Sequence, residues 1–285
     1  MTEQGVVEDG HHLAKGEVQA YLHQLGVPDL PPRSVPFDPG NDPVNVISHL
    51  GQSGHLMAAL KLSMTCWQVA APEATAAKIA AARDSDVPLV AGGATFEIAV
   101  QHDRLQSYFE LCAAIGIDCI EAGEGFTELA ITPAETTTLA ARHGLEVQFE
   151  LGRKHEGVFT GDRISELVDQ GKEWLDAGAV RLVVEARESA QAIGLFDESG
   201  TYQEDMAELL VDGLGLPQLC FESPTKASQF ALLEHLGPDV FLSNIRLDEL
   251  LRVEIFRRGM HADSYGDPLL GSWALGDDSS DRNHA

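Results

Sequence analysis

The stretch RLVVEARES, Arg181 to Ser189, passes from apolar to charged residues without a turn between them. Its apolar part, Leu182–Val184, has the composition of a short buried strand, and Glu185 and Arg187 follow almost directly. Comparable apolar runs recur along the chain as SVPF, AALKLSM, VPLVA, IDCIEA, LEVQFEL, VRLVVEA, LPQLCFE and DVFLSNI. Segments with helical periodicity separate the later runs, so the pattern predicts alternating strands and helices.

The segments between the runs carry the signals of helix starts and ends. In the segment from Gly161 to Gly178, apolar residues such as Ile164 and Leu167 recur at three- and four-residue intervals and form one stripe. Thr132 and Pro133 suit the N-cap and the first position of another helix. Glycines suited to helix exits are Gly116, Gly144, Gly178, Gly215 and Gly237. Strands and helices in this order imply parallel pairing through right-handed crossovers.

Eight such units predict an α/β fold, a single (β/α)₈ barrel of the TIM type. An open doubly wound sheet is the alternative, but its first strand is normally followed by a glycine-rich turn, and this chain reads FDPGNDP there. The predicted boundaries are an N-terminal helical arm over 1–30, the barrel over 31–272 and a short disordered acidic tail over 273–285.

The charge of the chain limits its partners. A formal net charge of −26 argues against nucleic acid and anionic membrane surfaces, because both require basic residues at the contact. No apolar stretch is long enough to span a bilayer and the N-terminus does not resemble a signal peptide, so a cytoplasmic protein is expected. The four cysteines show no CxxC spacing, which predicts reduced, buried thiols.

Charged and polar residues end nearly every predicted strand. From the first strand to the eighth they are Asp38, Lys61, Thr95 with Glu97, Glu121 with Glu124, Glu150 with Arg153 and Lys154, Glu185 with Arg187, Glu222 with Lys226, and Asn244. The third strand also ends in the glycine pair Gly92 and Gly93. The C-terminal ends of all barrel strands meet on one face, so these residues are expected to converge there. Carboxylates mixed with lysines predict a site for Mg²⁺ and a small anionic substrate. For any single residue, the alternative is a helix cap or a rim salt bridge.

Other catalytic patterns are absent from the sequence. There is no HxH or HExxH pattern for zinc, no GxSxG elbow and no Walker loop. Gly92 and Gly93 allow main-chain N–H groups to come close to an oxyanion.

Five longer segments carry a resemblance to a known family. They are VAGGATFEIAV, FELGRK, VVEARES with IGLFDESG, CFESPTK, and LSNIRLDELLRVEIFRRGMHAD, and the similarity extends over roughly Ser34 to Gly266. In these segments the chain resembles the phosphosulfolactate synthase family. The resemblance implies a homo-oligomeric (β/α)₈ barrel that adds sulfite to phosphoenolpyruvate with Mg²⁺. The product, (2R)-phospho-3-sulfolactate, is an early intermediate of coenzyme M biosynthesis.

That chemistry implies roles for the residues at the strand ends. Lys154, in the family's E-x-G-x-K segment, is the candidate general acid. The candidate substrate-binding residues are Lys61, Gly92, Gly93, Thr95, Arg187 and Lys226. The candidate Mg²⁺ ligands are Asp38, Glu185 and Glu222.

Three loops depart from the family pattern. Asp38-Pro39-Gly40 stands where the family has Asp-Lys-Gly, Ser63–Trp67 replaces a turn with glycine and tryptophan, and Gly123–Phe126 replaces a Ser-Asp-Gly-Thr-like segment. These departures leave two alternatives open. One is a paralogue with a different small anion or nucleophile, and the other is a non-catalytic, stress-related member. The charges retained at the strand tips favour an enzyme, because buried charge has little structural use.

Overall fold

The computed structural model describes residues 17–128 and 130–275, and its centre is a closed barrel of eight strands. The strands are β1 (Ser34–Asp38), β2 (Leu60–Leu62), β3 (Leu89–Ala91), β4 (Cys119–Ala122), β5 (Glu146–Leu151), β6 (Arg181–Val184), β7 (Leu219–Glu222) and β8 (Phe241–Arg246). Each strand pairs with the next in parallel, and β8 pairs with β1 to close the barrel. The predicted TIM barrel is confirmed.

Helices surround the barrel. They are α1 (Glu17–Gln24), α2 (Pro43–Ser53), α3 (Cys66–Val69), α4 (Pro72–Asp84), α5 (Ala94–Gln101), α6 (Leu105–Ile115), α7 (Pro133–Ala141), α8 (Gly161–Asp176), α9 (Glu204–Leu214), α10 (Lys226–Leu236) and α11 (Leu250–Arg257). Helix α1 lies in the predicted arm, and a 3₁₀ helix over Ser272–Leu275 lies where the predicted tail begins. The rest of both predictions, over 1–16 and 276–285, lies outside the described residues. Within the described part of the chain, no helix is long and apolar enough to cross a membrane.

Local sequence signals explain where the helices begin and end. Thr132 accepts a hydrogen bond from the Glu135 N–H, and the Glu135 carboxylate accepts one from the Thr132 N–H, which forms the capping box that starts α7. Helix α6 ends at Gly116, whose φ is 93°. This left-handed conformation favours glycine, and a Cβ there would also displace the Arg83 guanidinium.

Alternation along the strands divides the barrel interior into two levels. Toward the N-terminal ends of the strands the interior is an apolar cluster of Val35, Ala59, Val90, Cys119, Val183, Cys220 and Phe241. Two residues further along several strands, the inward positions carry Lys61, Glu121, Glu185 and Glu222, all buried. The intervening residues, such as Leu60 and Phe221, belong to the large core between strands and helices. The strand pattern thus places buried charge at the C-terminal end of the barrel.

The cysteines agree with the prediction of unpaired thiols. All four are free, three are buried and Cys66 is half-buried. Burial raises the pKa of the Cys112 thiol to about 12 and that of Cys220 to about 11, so both stay neutral at physiological pH.

Candidate active site

The C-terminal ends of the strands surround a cavity of about 320 Å³. Of the predicted site residues, those that line it are Lys61, Gly92, Gly93, Lys154, Glu185, Arg187 and Glu222. Asp38, Thr95 and Lys226 do not belong to this lining. The cavity is also lined by Glu121 and Glu150, which the sequence placed at strand ends without assigning them to the site.

Three buried glutamates form the centre of the cavity. Glu150, Glu185 and Glu222 each present a carboxylate oxygen, and these oxygens lie within 4.8 Å of one another. Oε2 of Glu150 and Oε2 of Glu185 are buried and have no hydrogen-bond partner within the described residues. Unpartnered buried carboxylate oxygens are costly unless a cation or proton compensates them. A set of oxygen ligands with free lone pairs fits the coordination preference of Mg²⁺.

The pKa values of the three glutamates diverge. Burial, followed by the charge of Glu222, raises the pKa of Glu185 to about 8. Burial, followed by Glu121 and Glu185, raises the pKa of Glu150. Burial also disfavours the charged form of Glu222, but the Lys61 charge and the Ala186 N–H outweigh it and lower the pKa of Glu222. In the absence of a cation, protons on two of the carboxyl groups therefore relieve the repulsion.

Lys61 is held by carboxylates of the barrel itself. Its Nζ lies 2.6 Å from Glu121 Oε1 and 3.3 Å from Glu222 Oε1. Burial alone lowers the pKa of Lys61, but the charges of Glu121, Glu222 and Glu150 outweigh burial and raise it well above its ordinary value. The ammonium group therefore stays charged and fixes Glu222 in place. Its predicted contact with substrate remains a prediction.

Asp38 lies on the other side of the barrel wall. Alternation along β1 directs Phe37 into the cavity and Asp38 toward the helices. Asp38 Oδ2 accepts a hydrogen bond of 2.6 Å from Lys78 Nζ on α4. Its Oδ1 accepts hydrogen bonds from the N–H groups of Gly40 and Asn41. Both oxygens are thus engaged, and the structure does not bring Asp38 together with Glu185 and Glu222.

Two cations lie where the cavity opens. Burial lowers the pKa of Lys154, but the charges of Glu150, Glu185 and Glu222 outweigh this and raise it, so its ammonium group carries a proton at neutral pH. Arg187 is exposed and left-handed, with a φ of 55°. Its N–H donates a 2.6 Å hydrogen bond to Glu185 Oε1. This contact holds the strained backbone and orients Glu185 at the same time.

The glycine pair and the two remaining predicted residues have different surroundings. A Cβ on Gly93 would lie 3.1 Å from Glu150 Oε2, so a larger residue here would press on the Glu150 carboxylate. The Gly92 N–H already donates to the Leu62 carbonyl. Thr95 Oγ1 donates to the Gln68 side chain, and Lys226 is 52 % exposed beside Asp263. Neither Thr95 nor Lys226 belongs to the lining of the cavity.

The residues that the sequence left out of the site were detectable by strand alternation. Glu121 and Glu150 each stand two residues after another inward position, Cys119 and Gln148. Counting in steps of two along the strands from these positions identifies Glu121 and Glu150 as inward-facing residues. The same count from Val35 on β1 reaches Phe37, so it excludes Asp38. Nothing in the local sequence indicated Lys78, because its partner Asp38 is 40 residues away.

A further buried glutamate, Glu97, shapes one of the loops that depart from the family. It is fully buried, and its carboxylate accepts hydrogen bonds from the N–H groups of Gly125, Phe126 and Thr127. These bonds fix the loop after β4 at the cavity mouth.

Comparison with known proteins identifies the family to which this chain belongs. The family model described as (2R)-phospho-3-sulfolactate synthase (ComA) matches residues 37–263. The chain belongs to this family. The match includes all three clustered glutamates, Lys61 and Lys154, and the chain is an enzyme of the synthase type.

Known phosphosulfolactate synthases are distant relatives of this chain. That of Methanocaldococcus jannaschii is 27% identical over 234 residues, which are 82% of this chain and 93% of the relative. That of Methanothermobacter thermautotrophicus is 34% identical over 188 residues, 65% of this chain and 72% of the relative. The chain is therefore a divergent phosphosulfolactate synthase family member.

Among solved structures, the carboxyl transferase domain of Rhizobium etli pyruvate carboxylase with 3-hydroxypyruvate superposes with a TM-score of 0.54. The sequence identity is 12%, and the match covers 86% of this chain and 46% of that chain. At this identity the likeness shows the barrel fold alone.

Proposed function

We propose that this chain catalyses the Mg²⁺-dependent addition of sulfite to phosphoenolpyruvate, giving (2R)-phospho-3-sulfolactate. The observation that carries the proposal is the cluster of Glu150, Glu185 and Glu222, which shares one cavity with the Lys154 ammonium group. In this cluster Oε2 of Glu150 and Oε2 of Glu185 are buried without a hydrogen-bond partner among the described residues. A cation site beside a proton donor is what an addition to an unsaturated carboxylate requires.

The three glutamates would hold the ion. When bound, Mg²⁺ supplies Lewis-acid stabilisation of the negative charge that develops on the substrate carboxylate. Lys61 keeps Glu222 ionised and in place, and the Arg187 N–H orients Glu185. The exposed Arg187 guanidinium is suited to bind the phosphate group in bidentate fashion.

The bond changes balance without an oxidant or reductant. The sulfur lone pair of sulfite forms a C–S bond with the methylene carbon of phosphoenolpyruvate. The π electrons of the double bond move toward the carbon that bears the carboxylate. Lys154 delivers a proton to that carbon and regains one from solvent, and the phosphate ester stays intact.

A second candidate reaction uses the same cavity with another nucleophile or another small anion. The observation that favours this second candidate concerns Met64. This residue lines the cavity, is 47% exposed and lies in a loop that departs from the family. Its φ of 52° is unusual for a bulky side chain and marks a locally strained mouth.

The proposal is tested by incubating the purified chain with phosphoenolpyruvate and sulfite, with Mg²⁺ or with EDTA, at low and high salt. We expect an ion at the mass of phosphosulfolactate that requires Mg²⁺. Glu222→Gln should abolish the Mg²⁺-dependent formation of product, because it deletes one carboxylate of the cluster. Lys172→Ala, an exposed substitution on α8, serves as the control that keeps activity.

The outcomes separate the candidates. Product that forms equally well in EDTA contradicts the metal role of the three glutamates. Absence of product at both salt concentrations contradicts the reaction itself and directs attention to other nucleophiles and phosphorylated acids.

A further inference from the structure

A bulge in the barrel wall aims Asn244 at the cavity. Along the β1–β8 ladder Val35 pairs with Ser243, but the next residue, Pro36, pairs with Ile245, so Asn244 is left over. Proline has no N–H to donate to the neighbouring strand. In open sheets it is tolerated at the edges, but a closed barrel has no edge strand. The chain responds with an extra residue on β8, a device that redirects a side chain.

The backbone at this bulge is strained and the side chain lacks a partner. Asn244 is left-handed with a φ of 56°. Its Oδ1 is buried and accepts no hydrogen bond from the described residues, although the side chain lines the cavity. Among the described residues, three left-handed positions other than glycine line this cavity, namely Met64, Arg187 and Asn244. Strain that gathers at one cavity indicates a functional constraint.

The cavity has two chemically different sides. Its carboxylates Glu150, Glu185 and Glu222 and its cations Lys154 and Arg187 come from β5, β6 and β7 and their loops.

The next part of the wall, from β8, β1 and β2, contributes mainly uncharged groups, with Phe37, Ser63 and Asn244 among them. Lys61 also comes from β2, but its ammonium group is already shared by Glu121 and Glu222. The groups available to donate hydrogen bonds on this side of the cavity are therefore neutral.

We propose that Asn244 holds the incoming sulfite in the reaction proposed above, on which this assignment rests. The carboxylate of phosphoenolpyruvate is drawn to the cation side, so its methylene carbon and the attacking nucleophile face the neutral wall. The NH₂ group of the Asn244 amide can donate a hydrogen bond to a sulfite oxygen. A neutral donor orients the anion without the tight ion pairing that a lysine would impose.

The test is steady-state kinetics on the Asn244→Gly variant. Glycine accepts the left-handed backbone without strain, so the fold is kept while the amide is lost. We expect the KM for sulfite to rise about tenfold or more, the loss of one hydrogen bond to a charged group, with the KM for phosphoenolpyruvate and the thermal midpoint little changed. Asn244→Asp, of equal size but negatively charged, should raise the sulfite KM further.

A matched control makes the same backbone change elsewhere. Asp103 is also left-handed, with a φ of 54°, but it is exposed and does not line the cavity, so Asp103→Gly should leave both KM values unchanged. If both KM values rise together in Asn244→Gly, or neither rises, Asn244 is not the sulfite-binding group. If the unmodified chain forms no phosphosulfolactate, the proposed function and the sulfite assignment fall together.

Discussion

The Lys154→Ala variant is expected to lose product formation by a factor of about 10²–10⁴, the usual contribution of a positioned general acid. Lys154 lies in the cavity with Glu150, Glu185 and Glu222, whose charges raise its pKa and keep a proton on Nζ. Without that proton the carbon that bears the carboxylate has no positioned donor.

The fold should survive this substitution, because Lys154 is in a loop and is not part of the buried Lys61 network. Circular dichroism and the thermal midpoint test this, with Lys172→Ala as the control variant. A Lys154→Ala protein that works at a near-normal rate would remove Lys154 from the mechanism.

The Lys61→Met variant is expected to be destabilised by about 3–5 kcal/mol, the cost of leaving buried charge without its partner. Methionine keeps roughly the side-chain length but leaves Glu121 and Glu222 without the ammonium group that lies 2.6 and 3.3 Å from them. Urea unfolding at neutral pH measures the loss. Activity should fall as well, because Glu222 then loses the charge that lowers its pKa.

A double substitution separates the ion pair from packing. Lys61→Met combined with Glu121→Gln removes both charges of the shorter pair, so it should be less destabilised than the sum of the single variants. The contribution of Lys61 to folding stability depends on pH in one direction. Because the folded-state pKa of Lys61 is raised, its contribution is complete at neutral pH and is lost only as pH rises through that value. Additive effects of the two substitutions would mean that the pair contributes little.

The fold could be predicted from sequence because its signals are local. Each of the eight strands coincides with one apolar run, and only β1 and β8 extend one residue beyond it. Capping residues such as Thr132 and exit glycines such as Gly116 act within a single turn. Parallel pairing then follows from the order of the elements.

The site was predictable only in part, because two of its determinants are not local. The sequence shows which residues end the strands, but the face of the barrel wall on which each one lies depends on strand alternation. Asp38 and Glu222 both end strands, yet one contacts Lys78 on a helix and the other lies in the cavity. The bulge at Asn244 depends on the register between β1 and β8, which no single segment contains.

The proposed reaction can be followed directly by mixing phosphoenolpyruvate and sulfite with the Mg²⁺-loaded chain in D₂O and recording the NMR spectrum of the product. We expect phosphosulfolactate with one deuterium on the carbon that bears the phosphate ester and none on the carbon that bears the sulfonate. This pattern follows from sulfur attack at the methylene carbon and proton delivery by Lys154, whose ammonium protons exchange with solvent. Deuterium on the sulfonate-bearing carbon, or the absence of phosphosulfolactate, would contradict it.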